Sequence, residues 1–152
     1  MAKIDEKDRQ TINAILKVSG FNQRRIAEEL GITAPAVNNR LQRLREKGVI
    51  LGSSPIIALA KVGYDLTAIV NVRVKPGKMA AAEKKWAKDT NVCSLYRISG
   101  DYDIMIIAKF RSMGDLDKWS DRIFDDAEII ERTNTSIAFG AEKEGVNPNR
   151  VE

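Results

Sequence analysis

The sequence predicts an α+β chain: an N-terminal winged helix-turn-helix, then a C-terminal ferredoxin-like βαββαβ domain. Three observations lead there. Through the first 50 residues, apolar positions recur at helical spacing between glycines. From Leu66 onward, strand and helix patterns follow in the order strand, helix, strand, strand, helix, strand. The charge is also split. Up to Gly63 there are eleven Lys and Arg against six Asp and Glu, a balance of +5 that leaves −1 for the rest of a chain whose net charge is +4. A basic third joined to a near-neutral body suggests two units, one of which meets a polyanion.

Composition bounds the chemistry. A length of 152 residues suits one domain or two small ones, with 43% hydrophobic and 30% charged residues, an ordinary globular balance. No apolar run nears the roughly 18 residues of a membrane span. The charged opening from Met1 to Asp8 reads as having no secretory signal. A single cysteine, Cys93, excludes an internal disulfide framework and fits a reducing cytoplasm. There is no histidine, which removes Ser-His and Cys-His catalysis, imidazole metal sites and any histidine switch. With no Gly-rich phosphate loop and no metal-ligand cluster either, an enzyme is a remote reading, and no cofactor or metal is expected.

The first helix is predicted from Asp5 to Val18, with Ile4, Asp8, Ile12, Ile15 and Leu16 as its stripe and Ser19-Gly20 as its stop. A second runs from Gln23 to Leu30, placing Ile26, Ala27 and Leu30 on one face, and Gly31 breaks it. Thr33 then caps a third helix, with Pro35 tolerated in its first turn and Val37, Leu41 and Leu44 inward. Lys47 suits its C-terminal dipole and Gly48 closes it. Two helices around a short Gly turn, with a third to pack on, make a helix-turn-helix. The opposite face of the third helix shows Ala34, Ala36, Asn38, Asn39, Gln42 and Arg43. Asn and Gln bond adenine edges bidentately, Arg does so with guanine, and Ala touches a thymine methyl. Thr33 and the first helical amides can hold a phosphate. Arg24 and Arg25 are phosphate clamps if they face the duplex and surface charges otherwise. The bland alternative, a solvated face on a three-helix bundle, is weaker because turn, charge and amide readers coincide.

Four segments follow by composition: 1–50 for the helix-turn-helix, 51–65 for an extended linker or wing strand, 66–140 for the ferredoxin-like domain and 141–152 for a tail. In the second unit Leu66 to Lys75 alternates as a strand, with Leu66, Ala68, Val70, Val72 and Val74 on one face. Pro76-Gly77 turns into a helix from Met79 to Lys88, with Met79, Ala82 and Trp86 inward. Val92 to Ser99 and Tyr102 to Phe110 are strands around a Gly100-Asp101 turn. Asp115 is the expected cap of a helix whose stripe is Leu116, Trp119, Ile123 and Phe124, and Ile129 to Phe139 is the last strand. The tail from Gly140 has few apolar residues and is expected to contribute little unless it crosses to a partner subunit. Ile104 to Ala108 is apolar on both strand faces, whereas helices cover only one face of such a sheet. A second copy stacked sheet on sheet is the economical cover, with the wing or tail as the alternative.

The chain resembles the Lrp/AsnC, or feast/famine, family of transcription regulators from Ile4 to about Phe139. The carriers are Ile4-Asp5-x-x-Asp8, then Ile26-Ala27-x-x-Leu30-Gly31-Ile32-Thr33 and Val37-x-x-Arg40-Leu41-x-x-Leu44-x-x-x-Gly48-Val49-Ile50, and later Ser99-Gly100-x-Tyr102-Asp103. The resemblance implies binding to double-stranded DNA, a homodimer through the C-terminal sheet with further assembly to tetramers or octamers, and a small-molecule effector, usually an amino acid. It places Ser99, Gly100, Asp101, Tyr102 and Asp103 in or beside the effector pocket, with Thr133, Thr135 and Ser136 as second contributors. Turn amides can hold a carboxylate, and Asp101 or Asp103 an ammonium. The competing reading is a plain hairpin turn at Gly100-Asp101, with Asp103 bonding local backbone. The family often carries a Tyr after the Gly that follows the third helix, and an Asp-Pro before the linker Gly. Here those stretches are Gly52-Ser53-Ser54-Pro55 and Leu59-Ala60-Lys61.

Other prominent residues read as structural. Cys93 is a small apolar filler, and Trp86 and Trp119 are core anchors. Asp121, Asp125, Asp126, Glu128 and Glu131 form a solvated acidic cluster. The functional expectation is a sequence-specific regulator gated by a small molecule. The alternative is an architectural protein that wraps DNA by charge, with little discrimination and no effector response.

Overall fold

The computed structural model describes residues 4–145 and 151; the opening Met1–Lys3 and the tail positions 146–150 and 152 lie outside them. The described residues separate into two compact units, one made of those up to Ile56 together with those from Lys143 on, the other Ile57–Glu142.

The first unit is three helices, α1 (Glu6–Val18), α2 (Gln23–Leu30) and α3 (Ala34–Glu46). Its core joins Ala14, Ile26, Ala27, Val37 and Leu41, with Ile15, Val18, Phe21, Leu30, Ile32 and Ile50 packed around them. Leu44 is also fully buried. The stripe expected on α1 is corrected. Asp8, Thr11 and Ala14 are the buried positions, while Ile4, Ile12, Ile15 and Leu16 are only half-buried. Asp8 and Thr11 are buried because Arg43, Lys47 and Arg40 reach their polar atoms, while Ala14 packs in the apolar core. The C-cap is likewise Ser19 in the left-handed conformation, φ 53°, and not the glycine after it.

Residues 51–58 form no strand, so the expected wing or hinge strand is absent among the described residues; Leu51 and Ile56 are 94% and 95% exposed. A strand needs a ladder partner for its N–H and C=O groups, and none of the described residues pairs with this segment. A short 3₁₀ helix, Leu59–Val62, follows within the second unit.

That unit contains β1 (Leu66–Val74), α4 (Met79–Trp86), β2 (Val92–Arg97), β3 (Ile104–Phe110), α5 (Met113–Phe124) and β4 (Ile130–Ala138). The sheet order is β2-β3-β1-β4 and every pairing is antiparallel, the ferredoxin-like arrangement. Strict alternation on β1 and β3 sends Ala68, Val70, Val72, Val74, Ile104, Ile106, Ala108 and Phe110 to the core, against Ala82 and Trp86 of α4 and Leu116, Trp119 and Ile123 of α5. Ser112, not Asp115, caps α5: its hydroxyl accepts the Asp115 N–H at 3.1 Å, which starts the helix at Met113. The described end of the tail also differs from expectation. Val151 donates its N–H to the Asn13 side chain at 2.7 Å and accepts from it at 3.0 Å, so this residue is held on α1.

Candidate DNA interface and candidate ligand site

The helix-turn-helix corner is built by capping. Asn22 opens α2 by accepting the Arg25 N–H at 3.2 Å. Gly31 closes it at φ 62°, in the left-handed region that a Cβ disfavours, and Ile32 donates back to the Ala27 carbonyl at 3.1 Å. Thr33 then caps α3 by accepting the Ala36 N–H at 3.4 Å, with its own hydroxyl proton still available to a phosphate. Val37, Leu41 and Leu44 anchor one side of α3. Asn38, Asn39 and Gln42 are exposed on the other, while Ala34 and Ala36 are half-buried at its start. Gln23 of α2 donates to the Asn38 carbonyl at 3.1 Å, which fixes the amide's orientation. Gln42 donates to Glu46 at 3.0 Å. Arg24 and Arg25 are exposed, and neither side chain has a partner among the described residues. The exposed side of α3 therefore carries oriented amides, and Arg24 and Arg25 at the start of α2 remain unneutralised.

Arg43 does not join them. At 100° per residue it falls on the flank shared with Arg40 and Lys47, facing α1. Its guanidinium bonds Asp8 and, at 3.1 Å, Asp5; Lys47 reaches the other Asp8 oxygen at 2.7 Å. Asp5 and Asp8 form a reciprocal capping box at the start of α1. Asp8 is 0% exposed. Burial pushes its carboxyl up, but the hydrogen bonds from Lys47, Arg43 and the Asp5 backbone outweigh it and hold the group down at about 2. Arg43 is in turn pushed above its usual value, chiefly by its bond to Asp8. Arg40 adds a 3.5 Å contact to the buried Thr11 hydroxyl. Sequence reading placed Asp8 in an apolar stripe and missed this network; the signal available was the Asp-x-x-Asp capping spacing.

In the second unit, Ser99, Gly100 and Asp101 are exposed and Tyr102 and Asp103 half-buried on the turn between β2 and β3. Gly100 sits at φ 107°, so the turn demands glycine for backbone reasons alone. Asp103 serves the sheet. Its N–H donates to Val72 O at 2.9 Å, and one carboxylate oxygen accepts the Val74 N–H at 2.9 Å beside the β1 irregularity at Arg73/Val74. Asp101 has no side-chain partner among the described residues. Two arginines that sequence reading did not select converge here. Arg73 reaches Gly100 O at 3.4 Å and Asp103 at 3.5 Å; Arg132 reaches Asp101 O at 3.1 Å and stacks over the Tyr102 ring at 5.0 Å. They come from different strands, paired across β1 and β4, so no local motif announces them. Thr133 pairs with Val72 and lies beside the turn. Thr135, opposite Val70, and Ser136, opposite Ile69, are farther along β4; Thr133 and Thr135 lie on the helix-covered face, whereas Ser136 shares the opposite face with Arg132 and Arg73. The turn thus gathers one free carboxylate and two guanidinium groups, the charge pattern that complements a zwitterion.

Comparison with known proteins bears on both regions. A profile described as the Lrp/AsnC ligand binding domain matches residues 67–148, and one described as winged helix-turn-helix DNA-binding matches 4–50. An uncharacterised HTH-type transcriptional regulator of Pyrococcus furiosus is 33% identical over 142 residues, covering 93% of this chain and 95% of the relative. The HTH-type transcriptional regulator LrpA of Pyrococcus horikoshii is 35% identical over 113 residues, covering 74% and 80%. Among solved structures, AsnC of E. coli superposes with a TM-score of 0.81 at 20% identity over 95% of this chain and 98% of that one. A Neisseria meningitidis regulator solved with L-Met superposes at 0.81 with 16% identity over 93% and 94%.

Proposed function

The chain belongs to the Lrp/AsnC family and is a DNA-binding transcriptional regulator with a ligand-binding domain, and from that premise we propose that it reads specific DNA sequences and changes assembly or DNA affinity when an amino acid binds. The carrying observation is the exposed Asn38, Asn39 and Gln42 row behind a Thr33-capped helix start. Asn38 and its neighbours read base edges in the major groove, while Thr33, Arg24 and Arg25 hold phosphates. Ala34 and Ala36 sit at the entering end, where a methyl contact is made.

The effector site is the Gly100 turn. The ammonium of the amino acid meets Asp101, and its carboxylate takes Arg132 and Arg73, whose present partners at this turn include neutral carbonyls. A related fold solved with L-Met supports this ligand class. The protein works as a homodimer joined through the uncovered sheet face and assembles further, to a tetramer or octamer. It acts in the cytoplasm; among the described residues no helix is long and apolar enough to cross a membrane.

A gel shift on the protein's own promoter against random DNA, at physiological salt, with and without a mixed amino-acid pool, tests the reading. Selective binding altered by the pool supports it. Equal binding to both duplexes, steeply salt-dependent and indifferent to the pool, assigns the architectural role instead.

A further inference from the structure

We propose that Gln23 and Glu46 are specificity-determining residues: by orienting two amides of α3, they assign guanine to Asn38 and adenine to Gln42. An amide side chain carries an acceptor on one arm and two donors on the other, so the arm that faces the duplex selects the base edge. Glu46, one helical turn beyond Gln42, accepts from its Nε2 at 3.0 Å. A carboxylate only accepts, so the amino arm of Gln42 is held toward Glu46 and its carbonyl stays open, together with the second N–H. One acceptor beside one donor matches adenine, which presents N6–H and N7 in the major groove.

Asn38 is held the other way round. Gln23, at the start of α2, donates to its Oδ1 at 3.1 Å and leaves both N–H groups of Asn38 open. Two donors match guanine, whose N7 and O6 both accept, better than adenine, which offers N7 alone. Residue type by itself would send both amides to adenine; their neighbours separate them. Asn39, exposed and without a partner among the described residues, carries no such bias. Docking strengthens the effect, because a duplex against α3 excludes the water that would satisfy a reversed amide. Asn38 and Gln42 are four positions apart, about 6 Å along the helix, so the G·C and A·T pairs they select lie about two base-pair steps apart.

The test is selection by the full chain from random-sequence duplexes, with Asn38→Ala and Gln42→Ala identifying the pair each side chain reads. The unmodified chain prefers G·C at the Asn38 pair and A·T at the Gln42 pair, each by about fivefold or more. Exchanging the orienting partner inverts each preference. Gln23→Glu draws the Asn38 amino arm to a carboxylate and moves its pair to A·T; Glu46→Lys draws the Gln42 carbonyl to an ammonium and moves its pair to G·C. The added charges shift affinity for all duplexes alike, in opposite directions, and cancel in each ratio. Both positions are exposed, so the thermal melt stays in place. A motif that neither substitution alters, or A·T at the Asn38 pair of the unmodified chain, would overturn the assignment and leave sequence-specific reading intact. Because the assignment rests on α3 entering the major groove, failure to enrich any sequence would sink both.

Discussion

Asp8 shows how much one buried carboxylate can organise. It closes the capping box on α1 and holds the α3 cations Arg43 and Lys47, so it joins two helices through charge. Its folded value of about 2 lies below the ordinary 3.8, so the unfolded chain binds the proton more readily as the medium turns acid. The contribution is therefore complete above about pH 4 and is lost as pH falls toward 2, with a size on the order of 2 kcal/mol. Asp8→Asn should lose about that much stability at neutral pH and flatten the acid limb of the stability curve, both measurable by denaturation followed through helical circular dichroism. Arg43 separates from the base readers by the same geometry. Arg43→Ala is expected to destabilise the first unit while preserving the ratio of cognate to random DNA affinity. Asn38→Ala or Gln42→Ala should instead cost about 1–3 kcal/mol of discrimination with the melt unchanged, as competition binding on the two duplexes reads.

Among the elements, capping sets where each helix starts and stops. Gly31 has open space around a would-be Cβ, so Gly31→Ala meets no clash and is opposed only by its backbone angle, at about 1–2 kcal/mol. Ser112→Ala removes the α5 cap and should cost about 1 kcal/mol, read as a lower melting temperature. Most elements were legible because alternation and helical spacing are local properties: Ala68, Val70, Val72 and Val74 announce the buried face of β1, and Val37, Leu41 and Leu44 that of α3. Ser112 was missed because Asp115, three residues on, is an equally good capping residue by type. The hydrogen bond between the two runs from the Asp115 amide to the Ser112 hydroxyl, a direction that composition does not encode.

At the level of the molecule, the described helices of the second unit cover one face of the sheet. Ile69 on β1, Met105 and Ile107 on β3 and Tyr96 on β2 share the face that carries neither helix. Met105 and Ile107 are half-buried and Tyr96 is 46% exposed. The proposed dimer stacks two such faces about 10 Å apart. Ile107→Asp places a charge in the middle of that interface and should convert the dimer to a monomer in sedimentation velocity, with the circular dichroism spectrum retained. DNA binding should weaken in parallel, because a monomer presents one reading helix to a two-fold site. A variant that stays dimeric would move the interface elsewhere.

The order of the elements, the two-part division of charge and the apolar faces are legible in the residues alone, since the patterns that announce them are local. The residues alone also carry the motifs by which the family resemblance is read. What the polar side chains do is set by the folded chain. It pairs Arg43 with Asp8, binds Asp103 to the Val74 amide, brings Arg73 and Arg132 to the Gly100 turn, and sets Arg111 against Tyr64. These pairs are separated by 27 to 47 positions in the chain, and hydrogen bonds and ion pairs act over only a few ångströms. A charged residue's partner is therefore fixed by where the folded backbone brings it.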